Sequence, residues 1–221
     1  MTKFLPGEKM PTIEGYINGH GSYQENNGLY SSLYGNLVVI DKLMTVQPVI
    51  DFRYNPEVGD VIIGRITMIG NKKWKVEMNS KAESTLQLSA INLPGSVQRR
   101  KMYSDEMKMR EYFDINDILV AEVQKINKSG NISLHTRNEK YKKLTNGLVL
   151  EVPAMLVTRY KTQFLKIESI EIIIGVNGFI WIGSDDLNYK NMKKILIIAN
   201  FIKNIANQNK VITDTELLKQ Y

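Results

Sequence analysis

The chain of 221 residues contains no cysteine. Disulfide bonds, zinc sites built on thiolates and cysteine nucleophiles are therefore excluded, and the fold needs no oxidising compartment. Histidine is almost as rare, since His20 and His135 are the only two, 115 positions apart, with no carboxylate at ligand spacing. We therefore predict neither a metal site nor a cofactor.

Long apolar runs are also missing. No run approaches the roughly 18 residues that a membrane-spanning helix needs, and the first 16 residues lack an apolar core behind a basic start, so neither a membrane span nor a signal peptide is predicted. The chain has no G-x-x-x-x-G-K loop, no nucleophile elbow and no H-E-x-x-H helix. These absences argue against an enzyme.

Positive charge is concentrated in the middle of the chain. Residues 1–59 hold 4 Lys/Arg and 6 Asp/Glu, residues 60–143 hold 16 and 10, and residues 144–221 hold 9 and 7. The middle segment therefore carries most of the net charge of +6. A module that binds a polyanion shows this distribution, although a solvated basic surface without a partner shows it too.

The apolar pattern divides the chain into three modules, and the predicted fold class is β-rich α+β. Residues 1–55, with short strand-like runs at 29–33, 36–40 and 45–49, are predicted to form a small β domain that packs against another module. Residues 56–138 carry runs at 61–69, 73–78, 85–88, 118–126 and 132–135, which predict a five-stranded barrel of the OB type. A short helix capped by Ser104 is expected in its long connection.

The third module, residues 139–221, combines strands with helices. Strands are predicted at 148–152, 170–174 and 179–182, and a short helix at 153–161 opens with Pro153. Apolar spacing predicts a longer helix at 187–206, with lysines on its other face. A last short helix is expected to begin at residue 213 or 214.

Residues 170–183, IEIIIGVNGFIWIG, contain a G-x-x-G string at Gly175–Val176–Asn177–Gly178. In KH domains this string forms a loop that clamps single-stranded RNA, and such a clamp joins two helices. Here both flanks are β-branched and aromatic without helical period, and Asn177-Gly178 suits a tight hairpin turn. The pattern favours a structural hairpin over a clamp.

Several barrel residues are candidates for RNA contact. Lys73 and Lys75 alternate with Trp74, which places the lysines outward and Trp74 in the core, although an aromatic residue on a barrel strand can also stack on bases. Arg99-Arg100-Lys101 lies in the long barrel connection and either contacts phosphate or is solvated. The remaining candidates are individually weak basic residues of the same barrel: Arg65, Lys72, Lys125, Lys128 and Arg137.

Paired carboxylates at Asp185-Asp186 could suggest metal ligands. They precede the predicted helix at 187–206, and negative charge is favourable at a helix N-terminus. We therefore interpret them as capping residues rather than a metal site.

Seven short stretches resemble, in order, the RNA-exosome cap family of ribosomal RNA-processing protein 4. They are NGHGSY (18–23), DKL (41–43), VGDVIIGRI (58–66), KWKVE (73–77), INLPG (91–95), SLHTR (133–137) and GVNGFIWI (175–182). Each alone is weak, but together they are specific and cover about residues 15–185. The rest of the C-terminal region matches only in general character.

The resemblance implies an N-terminal domain, a central S1-type OB barrel and a C-terminal KH-type domain. It implies a non-catalytic cap subunit that sits with two other cap proteins on a ring of six RNase-PH-like subunits and guides single-stranded RNA, 3′ end first, into a channel. The Gly175–Gly178 string would then be structural. The motifs resemble the eukaryotic form more than the archaeal one, which implies a nuclear (including nucleolar) and cytoplasmic location.

Two other functions stay open on the residues alone. One is a stand-alone protein that binds single-stranded RNA through the same barrel, in translation or RNA metabolism. The other is a nuclease with S1 and KH appendages, against which the missing catalytic carboxylate cluster argues.

Overall fold

The computed structural model describes residues 3–11, 15–49, 53–92, 103–159 and 163–212. The chain divides into two compact units, Met1–Asp51 and Phe52–Tyr221. Among the described residues, no helix is long and apolar enough to cross a membrane.

The first unit consists of short strands around a small apolar core. Its seven strands are β1 (Lys3–Phe4), β2 (Lys9–Met10), β3 (Ile17–Asn18), β4 (Ser22–Glu25), β5 (Gly28–Ser31), β6 (Gly35–Ile40) and β7 (Leu43–Pro48). They form two sheets, in the orders β1-β6-β7-β3 and β2-β5-β4. The core of this unit consists of five buried side chains: Phe4, Met10, Leu29, Met44 and Val46. Strands β5 to β7 confirm the three runs predicted here, with shifted ends.

The second unit begins with a closed barrel. Its elements are β8 (Val61–Gly70), β9 (Lys73–Glu77), β10 (Ser84–Ile91), α1 (Tyr103–Met107), α2 (Met109–Tyr112), β11 (Ile118–Ile126) and β12 (Ile132–Thr136), followed by the short β13 (Lys143–Leu144). The strands lie in the order β12-β10-β9-β8-β11, and β11 pairs back with β12. This closure confirms the predicted five-stranded OB-type barrel.

Alternation along the strands fills the barrel. On β9, Trp74 and Val76 are buried at 0% and 5% exposure, while Lys73 is exposed. The indole N–H of Trp74 donates to the carbonyl of Phe113 at 2.9 Å, and the two rings meet edge to face at 5.6 Å. Phe113 follows α2, so the two short helices lie against the end of the barrel core.

The unit ends in a four-stranded antiparallel sheet covered by one helix. The elements are β14 (Gly147–Glu151), a single 3₁₀ turn (Ala154–Leu156), β15 (Phe164–Ile167), β16 (Ile170–Ile174), β17 (Phe179–Gly183) and α3 (Tyr189–Asn207). The strand order is β14-β17-β16-β15. Five residues of α3 pack apolar side chains onto one face of this sheet: Ile195, Ile198, Ala199, Ile202 and Ile205.

Three local predictions were wrong. The side chain of Asn188, not of Asp185 or Asp186, caps α3, because it accepts a hydrogen bond from the amide of Asn191 at 2.9 Å. Ser104 lies inside α1 rather than before it. Pro153 precedes one 3₁₀ turn instead of a helix over 153–161. The last predicted helix, from residue 213 or 214, lies outside the described residues.

Candidate nucleic-acid interface

The G-x-x-G string joins two antiparallel strands, which confirms the hairpin. Strands β16 and β17 are antiparallel, and their residue pair nearest the turn is Ile174 opposite Ile180. Gly178 adopts a φ of +86°, a conformation that favours glycine. A Cβ atom at this position would lie 2.2 Å from the carbonyl oxygen of Val152. The string is therefore fixed between neighbouring chain segments.

The side chain of Asn177 points into the molecule. It is 0% exposed. Its Oδ1 accepts from the amide of Ile63 at 3.2 Å, and its Nδ2 donates to the carbonyls of Ile63 at 2.7 Å and Met78 at 3.0 Å. Both partners belong to the barrel, so one buried amide group pairs with three of its main-chain groups. The string therefore connects the C-terminal sheet to the barrel of the same chain, and its two side chains, Val176 and Asn177, are buried and cannot hold RNA.

A second polar connection lies nearby. Asp60, 7% exposed, accepts a hydrogen bond from the hydroxyl of Tyr54 at 2.5 Å and from Nε of Arg159 at 3.1 Å. Arg159 also lies 3.2 Å from the carboxylate of Glu57. Burial, reinforced by the carboxylate of Asp60, raises the pKa of Tyr54, so the hydroxyl stays a donor. This network ties the segment after the 3₁₀ turn to the start of β8.

Apolar packing joins the same two parts. One cluster takes buried side chains from the barrel and from the C-terminal sheet: Ile63, Val120, Leu144, Ile173 and Trp181. The barrel and the sheet therefore share a core as well as hydrogen bonds. The contact surface, which we call the seam, runs between them.

The structure describes seven of the ten basic residues predicted to contact RNA. Six are exposed and Lys75 is partly buried, all on the outer surface of the barrel: Arg65, Lys72, Lys73, Lys75, Lys125, Lys128 and Arg137. The other three, Arg99, Arg100 and Lys101, lie outside the described residues.

Cross-strand register brings three of these lysines onto one face. Thr85 lies opposite Lys75 on one side and opposite Ser133 on the other, and Ser133 lies opposite Lys125. Residues directly opposite each other point to the same side of a sheet, and Lys73 shares the face of Lys75 two residues away. We call Lys73, Lys75 and Lys125 the lysine row; between its ends lie three strand spacings, roughly 14 Å along the surface.

Acidic residues already pair with two lysines of this surface. The ammonium of Lys75 forms an ion pair with the carboxylate of Glu83, and Lys72 lies 2.8 Å from Glu106. The hydrogen bond from Lys75 lowers the pKa of Glu83. The Lys75 ammonium is therefore already neutralised in part by this carboxylate.

The remaining basic residues are not gathered into the row. Arg65 lies opposite Glu77, and Lys128 lies in the loop between β11 and β12. Arg137 follows β12, and its carbonyl accepts from the side chain of Asn92. Trp74 lies inside the barrel and offers no stacking surface.

Sequence patterns missed one group of side chains beside the row. The hydroxyl of Tyr141 donates to Glu122 at 2.6 Å, and its ring stacks on Phe164 with centroids 6.3 Å apart. Lys140 holds its ammonium 5.6 Å from the centroid of the Phe164 ring. The sequence signal for this group is an aromatic residue flanked by lysines, KYKK at 140–143. The strand that holds Phe164 is too short to be recognised from the sequence.

The described residues contain no group of three or more His, Asp or Glu side chains that could hold a metal ion.

A closed five-stranded barrel followed by a KH-type sheet places the chain in the class of S1/KH proteins. Family models agree with this class, because the RRP4 S1 domain matches residues 53–125 and a KH domain matches residues 147–188. A solved structure described as a candidate exosome complex RNA-binding protein has the same fold, at a TM-score of 0.52 and 20% identity, over 76% of this chain and 94% of that one.

Curated relatives give the family. The chain is 37% identical to exosome complex component RRP4 of Bos taurus, over 98% of this chain and 80% of that protein. It is 42% identical to the rrp4 component of Schizosaccharomyces pombe, over 83% of this chain. The chain spans 56% of the length of that fission-yeast relative and 49% of the Saccharomyces cerevisiae one. The chain belongs to the RRP4 family of exosome complex components.

Proposed function

We propose that the chain is a non-catalytic, RNA-binding cap subunit of an RNA exosome. The lysine row holds the sugar–phosphate backbone of single-stranded RNA. The chain stabilises a ring of RNase-PH-like subunits beside other S1/KH cap subunits and guides RNA into the ring for degradation and rRNA processing by other chains. It acts in the nucleus, including the nucleolus, and in the cytoplasm.

One observation carries the proposal: the register places Lys73, Lys75 and Lys125 on one outer face, separated by the neutral polar residues Thr85 and Ser133. Cations spaced along a groove track a backbone without reading its sequence. The names of the relatives and the two family matches support the assignment to an exosome.

RNA binding is tested by the salt dependence of affinity. We expect log K to fall with log salt concentration by about 0.7 for each phosphate contacted on a single strand. Replacing Lys73, Lys75 and Lys125 with alanine should weaken binding and reduce this slope by about 2. Glu83→Gln should strengthen binding, because it frees Lys75. Fluorescence anisotropy with a labelled 12-nucleotide RNA measures both effects.

Two results would contradict the RNA part of the proposal. One is an affinity that does not change with salt; the other is a triple variant that binds RNA as tightly as the wild type. Lys193→Ala is the matched control, since Lys193 lies exposed on α3, and it should change neither affinity nor slope.

Assembly is tested by purification of the tagged full chain from native extract. We expect several partners, among them RNase-PH-like chains and other S1/KH proteins, and no RNA degradation by the isolated chain with Mg²⁺ or phosphate. A chain that binds RNA but elutes without partners would favour the stand-alone RNA-binding protein instead.

A further inference from the structure

Two adjoining hollows open along the seam. Their volumes are about 330 Å³ and 590 Å³. Lys140 and Phe164 line both, so the two hollows are neighbours, and we call them together the seam cleft. Neither the hairpin string nor the lysine row lies in it, so the site described above does not account for it.

The cleft contains an aromatic surface beside a cation. Phe164 is partly buried, with Tyr141 stacked against it at an angle of 26° and the Lys140 ammonium over its ring. Aromatic side chains with neighbouring cations are the surfaces on which single-stranded nucleic acids stack their bases. Lys140 has a long flexible side chain and can move from the ring to a phosphate.

Gln163, which lines the larger hollow, carries an unpaired acceptor. Gln163 is 6% exposed, and its side-chain oxygen Oε1 has no hydrogen-bond partner. A buried acceptor without a donor costs stability, and almost all such groups in native proteins have a partner. Oε1 of Gln163 can therefore accept a hydrogen bond from a water molecule or from an N–H or O–H group of a ligand.

Most of the charged groups that line the cleft are paired with one another. Arg159 is paired with Asp60 at 3.1 Å, and Lys142 lies 3.7 Å from Glu171. Within the described ranges, three exposed charged residues of the cleft have no ion pair: Lys140, Lys166 and Glu139. An uncharged group thus fits between the paired charges, and an anionic group fits beside Lys140 and Lys166, away from Glu139. This is the division between a nucleobase and its phosphates.

The cleft is continuous with the lysine row. His135 follows Ser133 by two residues on β12 and therefore shares its outward face. The His135 ring lies 6.1 Å from the Tyr141 ring, which in turn stacks on Phe164. A strand that leaves Lys125 and Ser133 can follow this line of rings into the cleft.

We propose that the seam cleft binds one nucleotide of single-stranded RNA. The base stacks on Phe164, and the Gln163 side chain turns toward it so that Oε1 accepts an N–H of the base, while the flanking phosphates bind Lys140 and Lys166. Every base offers an N–H donor at its edge, so the cleft does not select a sequence. This inference rests on the proposed RNA-binding function and adds a base-stacking site to it.

Substitutions at Phe164 test the stacking. Phe164→Leu keeps apolar packing but removes the ring, and should weaken binding of a labelled 12-nucleotide RNA by at least about fivefold. Phe164→Tyr keeps the ring and should bind like the wild type. RNA that carries 4-thiouridine should cross-link to Phe164 or Tyr141 in the wild-type full chain, as mapped by mass spectrometry.

Gln163→Leu separates binding from folding. The variant removes the unpaired oxygen, so its melting temperature should equal or exceed that of the wild type. Its affinity for RNA should nevertheless fall about 2- to 10-fold. A purely structural role of Gln163 would leave RNA affinity unchanged.

The outcomes distinguish this inference from the proposed function. If the lysine-row variant loses affinity while Phe164→Leu and Gln163→Leu do not, and no cross-link maps to the cleft, the nucleotide site is wrong and the RNA-binding barrel stands. If Phe164→Tyr fails to restore affinity, Phe164 only packs and the site is again wrong. If the wild-type chain binds no RNA, both fail.

Discussion

Asn177 attaches the C-terminal sheet to the barrel through its side-chain amide. Its amide group pairs with the amide and carbonyl of Ile63 and the carbonyl of Met78, all buried. Other residues of similar size cannot provide one acceptor and two donors in this arrangement. A string that elsewhere holds RNA thus has an internal role here.

Replacing Asn177 with alanine should lower the free energy of unfolding by about 2–4 kcal/mol, because it leaves buried main-chain groups without partners. Urea unfolding followed by circular dichroism measures the loss. Asn200→Ala, on the exposed face of α3, should change stability by no more than about 0.5 kcal/mol. Equal stability of Asn177→Ala and the wild type would contradict the role given to the side chain.

Tyr54 gives the protein a predicted sensitivity to alkali. Burial and the bond to Asp60 raise its pKa in the folded protein. Such a group stabilises the fold fully below its unfolded pKa of about 10, and this contribution is lost as pH rises toward the folded value. Tyr54→Phe should therefore be less stable than the wild type at pH 7, and the difference should shrink above about pH 10. Urea unfolding from pH 7 to 11 measures the difference in stability between Tyr54→Phe and the wild type. If this difference does not change with pH, the pKa of the Tyr54 hydroxyl is not raised by folding.

At the scale of elements, the β16–β17 hairpin is held by close backbone contact. Gly130→Ala and Gly178→Ala form a matched pair, because both glycines have a φ of +86° but only Gly178 has a neighbour within 4 Å of the added carbon. We expect Gly130→Ala to cost about 1 kcal/mol from the backbone conformation alone. Gly178→Ala should cost clearly more, since its Cβ would meet Val152. Thermal unfolding of the two variants compares them directly, and equal losses would mean that the hairpin can move away from its neighbours.

Alternation made the barrel strands predictable, and β-branched flanks made the hairpin predictable. The lysine row depends on features that one strand does not reveal. The register of β11 shifts between Val123 and Lys125, and this irregularity places Lys125 opposite Ser133. Asp60 and Arg159 are 99 positions apart, so no local pattern pairs them. Strand β15 has only four residues, too few for a recognisable pattern. Neither Phe164 nor the preceding Gln163 could therefore be predicted as a site residue.

At the scale of the molecule, the barrel and the C-terminal sheet should open together. They lie in one compact unit and share buried side chains such as Ile63 and Trp181. In native-state hydrogen exchange, amides of β11 and β17 should therefore exchange with the same free energy. Asn177→Ala should lower the value for β17 more than for β11. Different values in the wild type would show two independently stable bodies.

Because the barrel is synthesised before Asn177, it can fold before this side chain binds to it. The last barrel strand ends at Thr136, about forty residues before Asn177 in the sequence. At ordinary rates of translation the barrel therefore has several seconds to close before Asn177 leaves the ribosome. The acceptors and the donor that Asn177 needs are then already in place on a finished surface. The C-terminal module can thus dock onto a barrel that has already folded. A barrel that closed in the wrong register would lack the partners of Asn177, and the C-terminal sheet would not attach to it.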